Sequence, residues 1–140
     1  MHLRLVLATA ALVAACSDSP GVAPDLPEDT AYPLDVVARA TTVDDGATLP
    51  VSLVNRGTDR LSYNLCTDQL EVLDDGTWRA GPASLRLCAA IAYALPAGET
   101  REESYSVDLG VPPGTYRLRV AMGREAGALV VRRSEAFTVR

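Results

Sequence analysis

The sequence contains no lysine, and its only histidine is His2, so all 13 of its Lys and Arg residues are arginines. Histidine is the commonest general base and metal ligand, and lysine supplies the amine of Schiff-base chemistry. Zinc and blue-copper sites and nucleophilic triads therefore lack essential groups. The 18 carboxylates give a net charge of −5, which leaves no basic stripe for phosphates. These absences predict a protein that is not an enzyme, holds no metal or cofactor and binds no nucleic acid.

No apolar run is long enough to cross a bilayer, which needs about 20 residues. The run over residues 5–15 follows a short polar start and ends in Val13-Ala14-Ala15-Cys16. This segment resembles a bacterial lipoprotein signal peptide, in which an aliphatic residue stands three places before the cysteine and small residues lie between them. An ordinary secretory signal that happens to carry a cysteine is the alternative.

The resemblance implies that residues 1–15 are removed and that Cys16 carries a lipid, which anchors the protein to a membrane of the bacterial cell envelope. In the enterobacterial form of this signal, an aspartate after the cysteine retains the lipoprotein at the inner membrane. This chain has Ser17 there, which favours the outer membrane if the host is Gram-negative. Residues 16–33 contain four prolines and no periodic apolar pattern, so we interpret them as the lipidated cysteine and a flexible linker. Packing of this segment on the domain is an alternative only near its C-terminal end.

From residue 34 onward, apolar side chains recur at every second position in short runs, a pattern typical of half-buried β-strands. Turn sequences such as Asp44-Asp45-Gly46 and Asp74-Asp75-Gly76-Thr77 separate the runs, and the second predicts a tight hairpin before Trp78. Seven or eight such strands, with no helices between them, predict an antiparallel β-sandwich over residues 34–140. The expected core stripes include Leu34, Val36, Leu49, Val51, Leu53, Leu61, Tyr63, Leu65, Tyr105, Val107, Leu109, Tyr116, Leu118, Val120, Met122, Leu129, Val131, Phe137 and Val139.

Residues 85–95 are ambiguous. A strict period-two alternation, which favours a strand, runs through Leu85, Leu87, Ala89, Ile91, Tyr93 and Leu95. The alanine-rich run over residues 88–95 is also compatible with a helix. We predict a strand because the neighbouring elements are strands.

Several short motifs, taken in order, resemble the bacterial immunoglobulin-like (Ig-like) domains found on exported proteins. They are the Asn55-Arg56-Gly57 turn, Gly76-Thr77-Trp78, Leu95-Pro96-Ala97-Gly98-Glu99, Pro113-Gly114-Thr115-Tyr116-Arg117-Leu118 and Phe137-Thr138-Val139. The resemblance implies an Ig-like sandwich in which Tyr116 forms a tyrosine corner, its phenol bonding back to nearby backbone.

Cys66 and Cys88 depart from the antibody pattern, in which the two bridged cysteines lie much farther apart. They are the only thiols left once Cys16 is lipidated. In an oxidising compartment such a pair is most simply a disulfide, here closing a loop around the Trp78 hairpin. Two buried free thiols are the alternative.

Paired carboxylates occur at Asp44-Asp45, Asp74-Asp75 and Glu102-Glu103. Two of the pairs precede a glycine, where aspartate is favoured because it bonds to its own turn backbone, so we interpret them as turn residues. Weak calcium binding and two-carboxylate hydrolysis are the alternatives.

Taken together, the sequence predicts a non-catalytic, membrane-anchored lipoprotein whose Ig-like domain binds or spaces an envelope protein or glycan. The alternative is a small sandwich-type proteinase inhibitor. Such an inhibitor would present the loop around Gly81-Pro82-Ala83 or the loop Val111-Pro112-Pro113-Gly114 to its target.

Overall fold

A computed structural model describes residues 28–125 and 127–140. These residues form one 3₁₀ turn, Leu65–Thr67, and eleven strands. The strands are β1 (Leu34–Ala38), β2 (Thr42–Val43), β3 (Thr48–Asn55), β4 (Leu61–Tyr63), β5 (Gln69–Asp74), β6 (Thr77–Ala80), β7 (Tyr93–Leu95), β8 (Thr100–Ser106), β9 (Gly114–Arg124), β10 (Leu129–Arg133) and β11 (Phe137–Val139). In this part of the chain there is no helix with the length and apolar character of a membrane span.

The strands form two sheets, and the predicted all-β sandwich is confirmed. The smaller sheet has the order β1-β3-β8 and is antiparallel throughout. The larger sheet is built around β9, which pairs with β10 and β11 along one side and with β4 and β5 along the other. Each neighbour of β9 is broken into two short strands and β2 has only two residues, so the strand count exceeds the seven or eight expected.

The core lies between the sheets and consists largely of the predicted alternating positions. In β9 the side chains of Tyr116, Leu118, Val120 and Met122 are buried, while Arg117 lies on the outer face. The hydroxyl of Tyr116 donates to the Pro112 carbonyl at 2.8 Å, the hydrogen bond that a tyrosine corner makes.

The predicted hairpin before Trp78 is confirmed. Asp74 pairs with Thr77, so that the turn has only two central residues. These residues, Asp75 and Gly76, have φ values of 47° and 76°. Two successive positive φ angles characterise the type I′ turn that matches the twist of paired strands.

The linker boundary at residue 33 is wrong, because the chain already packs on the sandwich at Asp29. The Asp29 amide donates to the Val131 carbonyl at 3.1 Å, and the Tyr32 ring is buried in the core. Arg132 donates from Nε to the Leu34 carbonyl at 2.8 Å and so fixes the same segment from the opposite sheet. An aromatic side chain that reaches the core therefore makes residues 29–33 part of the domain.

The strand predicted over residues 85–95 is also wrong for most of its length. Only Tyr93–Leu95 is a strand, and residues 81–92 have no regular secondary structure. Leu109 and Leu129, which were expected in the core stripes, are exposed as well.

Candidate binding surface

Residues 81–92 connect β6 to β7, and we call them the disulfide loop. Leu85 is 93% exposed and Leu87 is fully exposed, whereas Arg86 and Cys88 are partly buried. Within residues 85–88 the side chains therefore alternate, but with the opposite face inward. The arginine and the cysteine contact the domain, and the leucines extend into solvent.

Arg86 fixes the middle of the disulfide loop through contacts on several sides. Its guanidinium donates to the Ser106 carbonyl at 2.7 Å and to the Tyr105 hydroxyl at 2.8 Å. It also pairs with Asp108 at 2.9 Å and lies over the Tyr105 ring at 4.6 Å from the centroid. Because the planar guanidinium presents several donors in a rigid fork, one side chain ties the loop to β8 and to the segment that follows it.

The disulfide between Cys66 and Cys88 supplies a second attachment, and its prediction is confirmed. It joins the loop to the 3₁₀ turn, with the two Cα atoms 5.6 Å apart. Asn64 strengthens the junction, since its side chain accepts from the Cys66 amide at 3.1 Å and donates to the Ala89 carbonyl at 2.9 Å. The backbone that carries Leu85 and Leu87 is thus held on its C-terminal side by a covalent bond and a hydrogen-bonded turn.

A neighbouring loop adds a third exposed leucine, Leu109, which is 86% exposed. The amides beside it, those of Gly110 and Val111, donate to Asp45 Oδ1 at 2.8 and 3.0 Å. Leu85 and Leu109 line the same shallow groove. We call Leu85, Leu87 and Leu109 the leucine patch. The patch could not be read from the sequence, because its leucines lie on two loops that are far apart in the chain. The one local signal was that Arg86 and Cys88 alternate with Leu85 and Leu87, so that either set could face inward.

Most of the paired carboxylates have structural partners. Asp44 pairs with Arg140 at 2.7 Å and Glu102 pairs with Arg39 at 3.3 Å. Asp45 caps the loop that carries Leu109, as described above, and Asp74 lies at the hairpin. Across residues 28–125 and 127–140, no three His, Cys, Asp or Glu side chains come together as a group that could hold a metal ion.

The outer face of the larger sheet carries an arginine cluster around Glu71. Arg117 pairs with Glu71 at 2.6 Å, Arg133 pairs with it at 3.0 Å, and Arg117 also stacks on the Trp78 ring at 4.2 Å. Burial acts to raise the pKa of Glu71, but the hydrogen bonds from Arg133 and Arg117 outweigh burial and lower it. The buried carboxylate thus offsets part of the positive charge of this face.

A cleft of about 340 Å³ lies between β4, β7 and β8, beside the disulfide loop. We call it the tyrosine cleft; its lining includes Tyr63, Tyr93, Ile91 and Glu103. The Tyr63 hydroxyl donates to Glu103 Oε1, and the two tyrosine rings lie 5.9 Å apart, centroid to centroid. Burial and the bond to Glu103 raise the pKa of Tyr63, so the phenol stays protonated and remains a donor. No local sequence motif indicates this cleft, because its lining residues come from three separate segments of the chain.

Asp68, which follows the 3₁₀ turn, is a buried acid that the sequence patterns did not single out. Its Oδ1 accepts from the Ala121 amide at 3.0 Å. Burial raises the pKa of Asp68 to about 7, although that hydrogen bond and the charges of Arg119 and Arg86 lower it. Asp68 therefore titrates near neutral pH next to the residues that hold the disulfide loop.

The signal peptide predicted over residues 1–15 and the lipidation site predicted at Cys16 lie outside the described residues.

Comparison with known proteins does not assign the chain to a family, because no family model and no curated protein sequence matches it.

Among solved structures, the chain is similar to the Northeast Structural Genomics Consortium target SoR45, with a TM-score of 0.53 and 12% sequence identity. That match covers 81% of this chain and 88% of the other. The sporulation control protein Spo0M from Bacillus subtilis matches with a TM-score of 0.47 and 12% identity, over 76% of this chain and 48% of that protein. At such low identity, the similarity to SoR45 shows that the two chains share a fold and nothing more.

Proposed function

We propose that the protein is a non-catalytic, lipid-anchored binding module of the bacterial cell envelope that contacts a protein partner through the leucine patch. The observation that carries the proposal is the disulfide loop, which exposes Leu85 and Leu87 on a backbone fixed by Arg86 and Cys88. Exposed apolar clusters mark interaction sites on soluble domains. A fixed backbone also reduces the ordering entropy lost on association.

The lipobox-like segment Val13-Ala14-Ala15-Cys16 supports the anchor. Between Cys16 and Glu28 the chain advances twelve residues, or about 37 Å at the 3.1 Å per residue of an extended proline-rich linker. Attached acyl chains contribute about 0.8 kcal/mol per buried methylene, so two or three of them hold a protein stably on a membrane. An anchored module of this kind meets its partner within a few tens of ångströms of the lipid surface.

The composition supports a role in binding rather than catalysis. Beyond His2 the chain has neither histidine nor lysine, which removes the commonest general base and the usual amine nucleophile. Among the paired acids, Asp44 and Glu102 form ion pairs with arginines.

Crosslinking in cells, followed by purification of the anchored protein, tests the proposal. The wild-type protein should enrich a defined envelope component, and the double variant Leu85→Ser, Leu87→Ser should lose it. Leu129→Ser is the matched control, because Leu129 is also exposed but lies in β10, outside the leucine patch. Absence of any enriched component would leave only a passive spacer, and equal enrichment by the patch variant would place the contact outside the leucine patch.

The disulfide loop also favours a second candidate, a sandwich-type proteinase inhibitor, since inhibition requires an exposed loop with a rigid backbone. The guanidinium of Arg86 is bonded to the domain and is not available to a target. Leu85 or Leu87 would therefore be the residue that enters the specificity pocket of the proteinase. The alternative loop at residues 111–114 is less suitable, since Val111 is buried. Assays against serine, cysteine and metalloproteinases should show inhibition that the Leu85→Ser, Leu87→Ser variant loses. If the wild-type protein inhibits none of the three classes, it is not a proteinase inhibitor of this kind.

A further inference from the structure

Glu103 in the tyrosine cleft differs from its neighbours along β8 in having no cationic partner among the described residues. Glu102 pairs with Arg39 at 3.3 Å, and Glu99, just before the strand, pairs with Arg101 at 3.1 Å. Glu103 forms no such ion pair, and its hydrogen-bond partner is the Tyr63 hydroxyl. A carboxylate accepts about four hydrogen bonds in all, so most of its capacity remains available to a ligand.

The walls of the cleft suit a cation on an apolar stem. Tyr93 is 54% exposed, and its ring lies beside the Tyr63 ring with an angle of 37° between the planes. The negative face of an aromatic ring attracts cations, most strongly where water is partly excluded. Ile91, also exposed, adds apolar surface at the same site.

We infer that the tyrosine cleft binds a primary ammonium group on a flexible apolar stem, as in a lysine side chain, with Glu103 as the counter-ion. The ammonium is a compact point charge and needs only one free carboxylate oxygen. The single contact of an ammonium leaves the bond from Tyr63 in place, whereas a guanidinium is most favourable when it bonds both carboxylate oxygens in one plane. At about 340 Å³ the cleft is within the usual size range of ligand sites.

The ligand must come from another molecule, because this chain contains no lysine. A second copy of the protein therefore has no lysine side chain to offer. The inference names the chemistry of a partner and so rests on the proposed binding function. A lysine of a partner protein and a free small amine carry the same chemistry, and the experiment must separate them.

The test is a titration of the mature lipidated protein in detergent micelles, followed by NMR of labelled tyrosine rings. The probe is Nα-acetyl-lysine methylamide, and its uncharged counterpart is Nα-acetyl-norleucine methylamide. We expect saturable shifts of the Tyr93 resonances with the lysine probe and at least about tenfold weaker binding of the norleucine probe, since hydrogen bonds to a charged group are the strong ones.

Variants assign the binding to the cleft. Glu103→Gln should weaken the lysine probe about tenfold while leaving the norleucine probe unaffected. Tyr93→Leu should weaken the lysine probe about two- to fivefold, as expected for an exposed cation–π contact. Glu102→Gln is the matched control and should change nothing, because that carboxylate is paired with Arg39. Unchanged backbone spectra of Glu103→Gln show that the variant is folded.

Equal binding of the two probes, or a Glu103→Gln variant that binds the lysine probe normally, would overturn the inference. Tighter binding of an Ala-Lys-Ala peptide than of butylamine would identify a protein lysine as the source, and the reverse order would identify a small amine. Failure of the titration leaves the proposed function intact if crosslinking still depends on the leucine patch, so the two failures are distinguishable.

Discussion

Asn55 shows how one residue connects distant parts of the fold. It is completely buried, and its Nδ2 donates to the carbonyls of Asp59 at 2.8 Å and of Leu95 and Pro96, each at 3.1 Å. Its Oδ1 accepts from the Tyr32 hydroxyl at 3.2 Å. The Asn-x-Gly sequence indicated the turn but not these bonds, because a turn signal is local and the partners lie up to 41 residues away.

The variant Asn55→Leu should be strongly destabilised, because the Leu95 and Pro96 carbonyls and the Gly57 amide lose the side chain that bonds to them. An unsatisfied buried polar group costs about 1–3 kcal/mol, so we expect the free energy of unfolding to fall by about 3 kcal/mol or more. Urea denaturation followed by circular dichroism measures this. The neighbouring Arg56→Ala removes only an exposed ion pair with Asp35 and should cost about 0.5 kcal/mol. A similar cost for both variants would contradict the role assigned to Asn55.

The raised pKa of Asp68 predicts that the free energy of unfolding falls as the pH rises towards neutrality. Its pKa is raised from an ordinary value of 3.8 to about 7 in the folded protein. Between these values the folded state keeps a proton that the unfolded state has released, so stabilisation present at low pH is lost as the pH approaches 7. Glu71 acts in the opposite sense but only below its ordinary pKa of 4.5, because its folded pKa is lowered.

We therefore expect the free energy of unfolding to decrease by about 2 kcal/mol between about pH 5 and pH 7.5. In Asp68→Asn this slope should disappear, because the amide oxygen still accepts from the Ala121 amide but carries no charge. Urea unfolding at several pH values provides the measurement. A wild-type protein whose stability rises over this interval would show that the Asp68 carboxyl is ionised at little cost.

At the scale of the element, the disulfide loop marks the limit of what a hydrophobic pattern predicts. Alternation in residues 85–91 indicated a strand that does not form, and in residues 85–88, where the side chains do alternate between exposed and partly buried, it indicated the wrong inward face. Apolar burial would have placed Leu85 and Leu87 in the core. The bonds of Arg86 and the covalent link through Cys88 reverse that choice, and both depend on partners that only the folded chain supplies.

The disulfide makes a direct prediction for this element. In a Cys16→Ser form, which removes the remaining cysteine, no thiol should react under denaturing, non-reducing conditions, and two should react after reduction. Reduction should lower the free energy of unfolding by about 3 kcal/mol, the chain-entropy value for a loop of this size. Two reactive thiols before reduction would exclude the bridge.

At the scale of the whole molecule, periodicity and turn sequences predicted the sandwich well, because its strands alternate regularly and its turns carry Asp-Gly pairs. They placed the start of the domain too late, since a single aromatic residue, Tyr32, decides that boundary. The tyrosine cleft could not be predicted at all. It forms where Tyr63, Tyr93 and Glu103, which are far apart in sequence, meet on the edges of the two sheets.

The predicted anchor also belongs to this scale. Cys16→Ser should accumulate as an unprocessed precursor, because lipid attachment precedes cleavage in the pathway that the signal peptide resembles. Immunoblots of fractionated cells, with Ser17→Ala as the control, measure the size and location of the product. A Cys16→Ser protein that is cleaved normally and released would indicate an ordinary secretory signal instead.

Site-specific photocrosslinking in cells shows whether the anchored domain meets its partner through the leucine patch. A photoreactive amino acid replaces Leu87 in one strain and Leu129, the exposed control outside the patch, in another. We expect a discrete adduct with an envelope protein from position 87 and none from position 129. Equal adducts from both positions, or none from position 87, would contradict it.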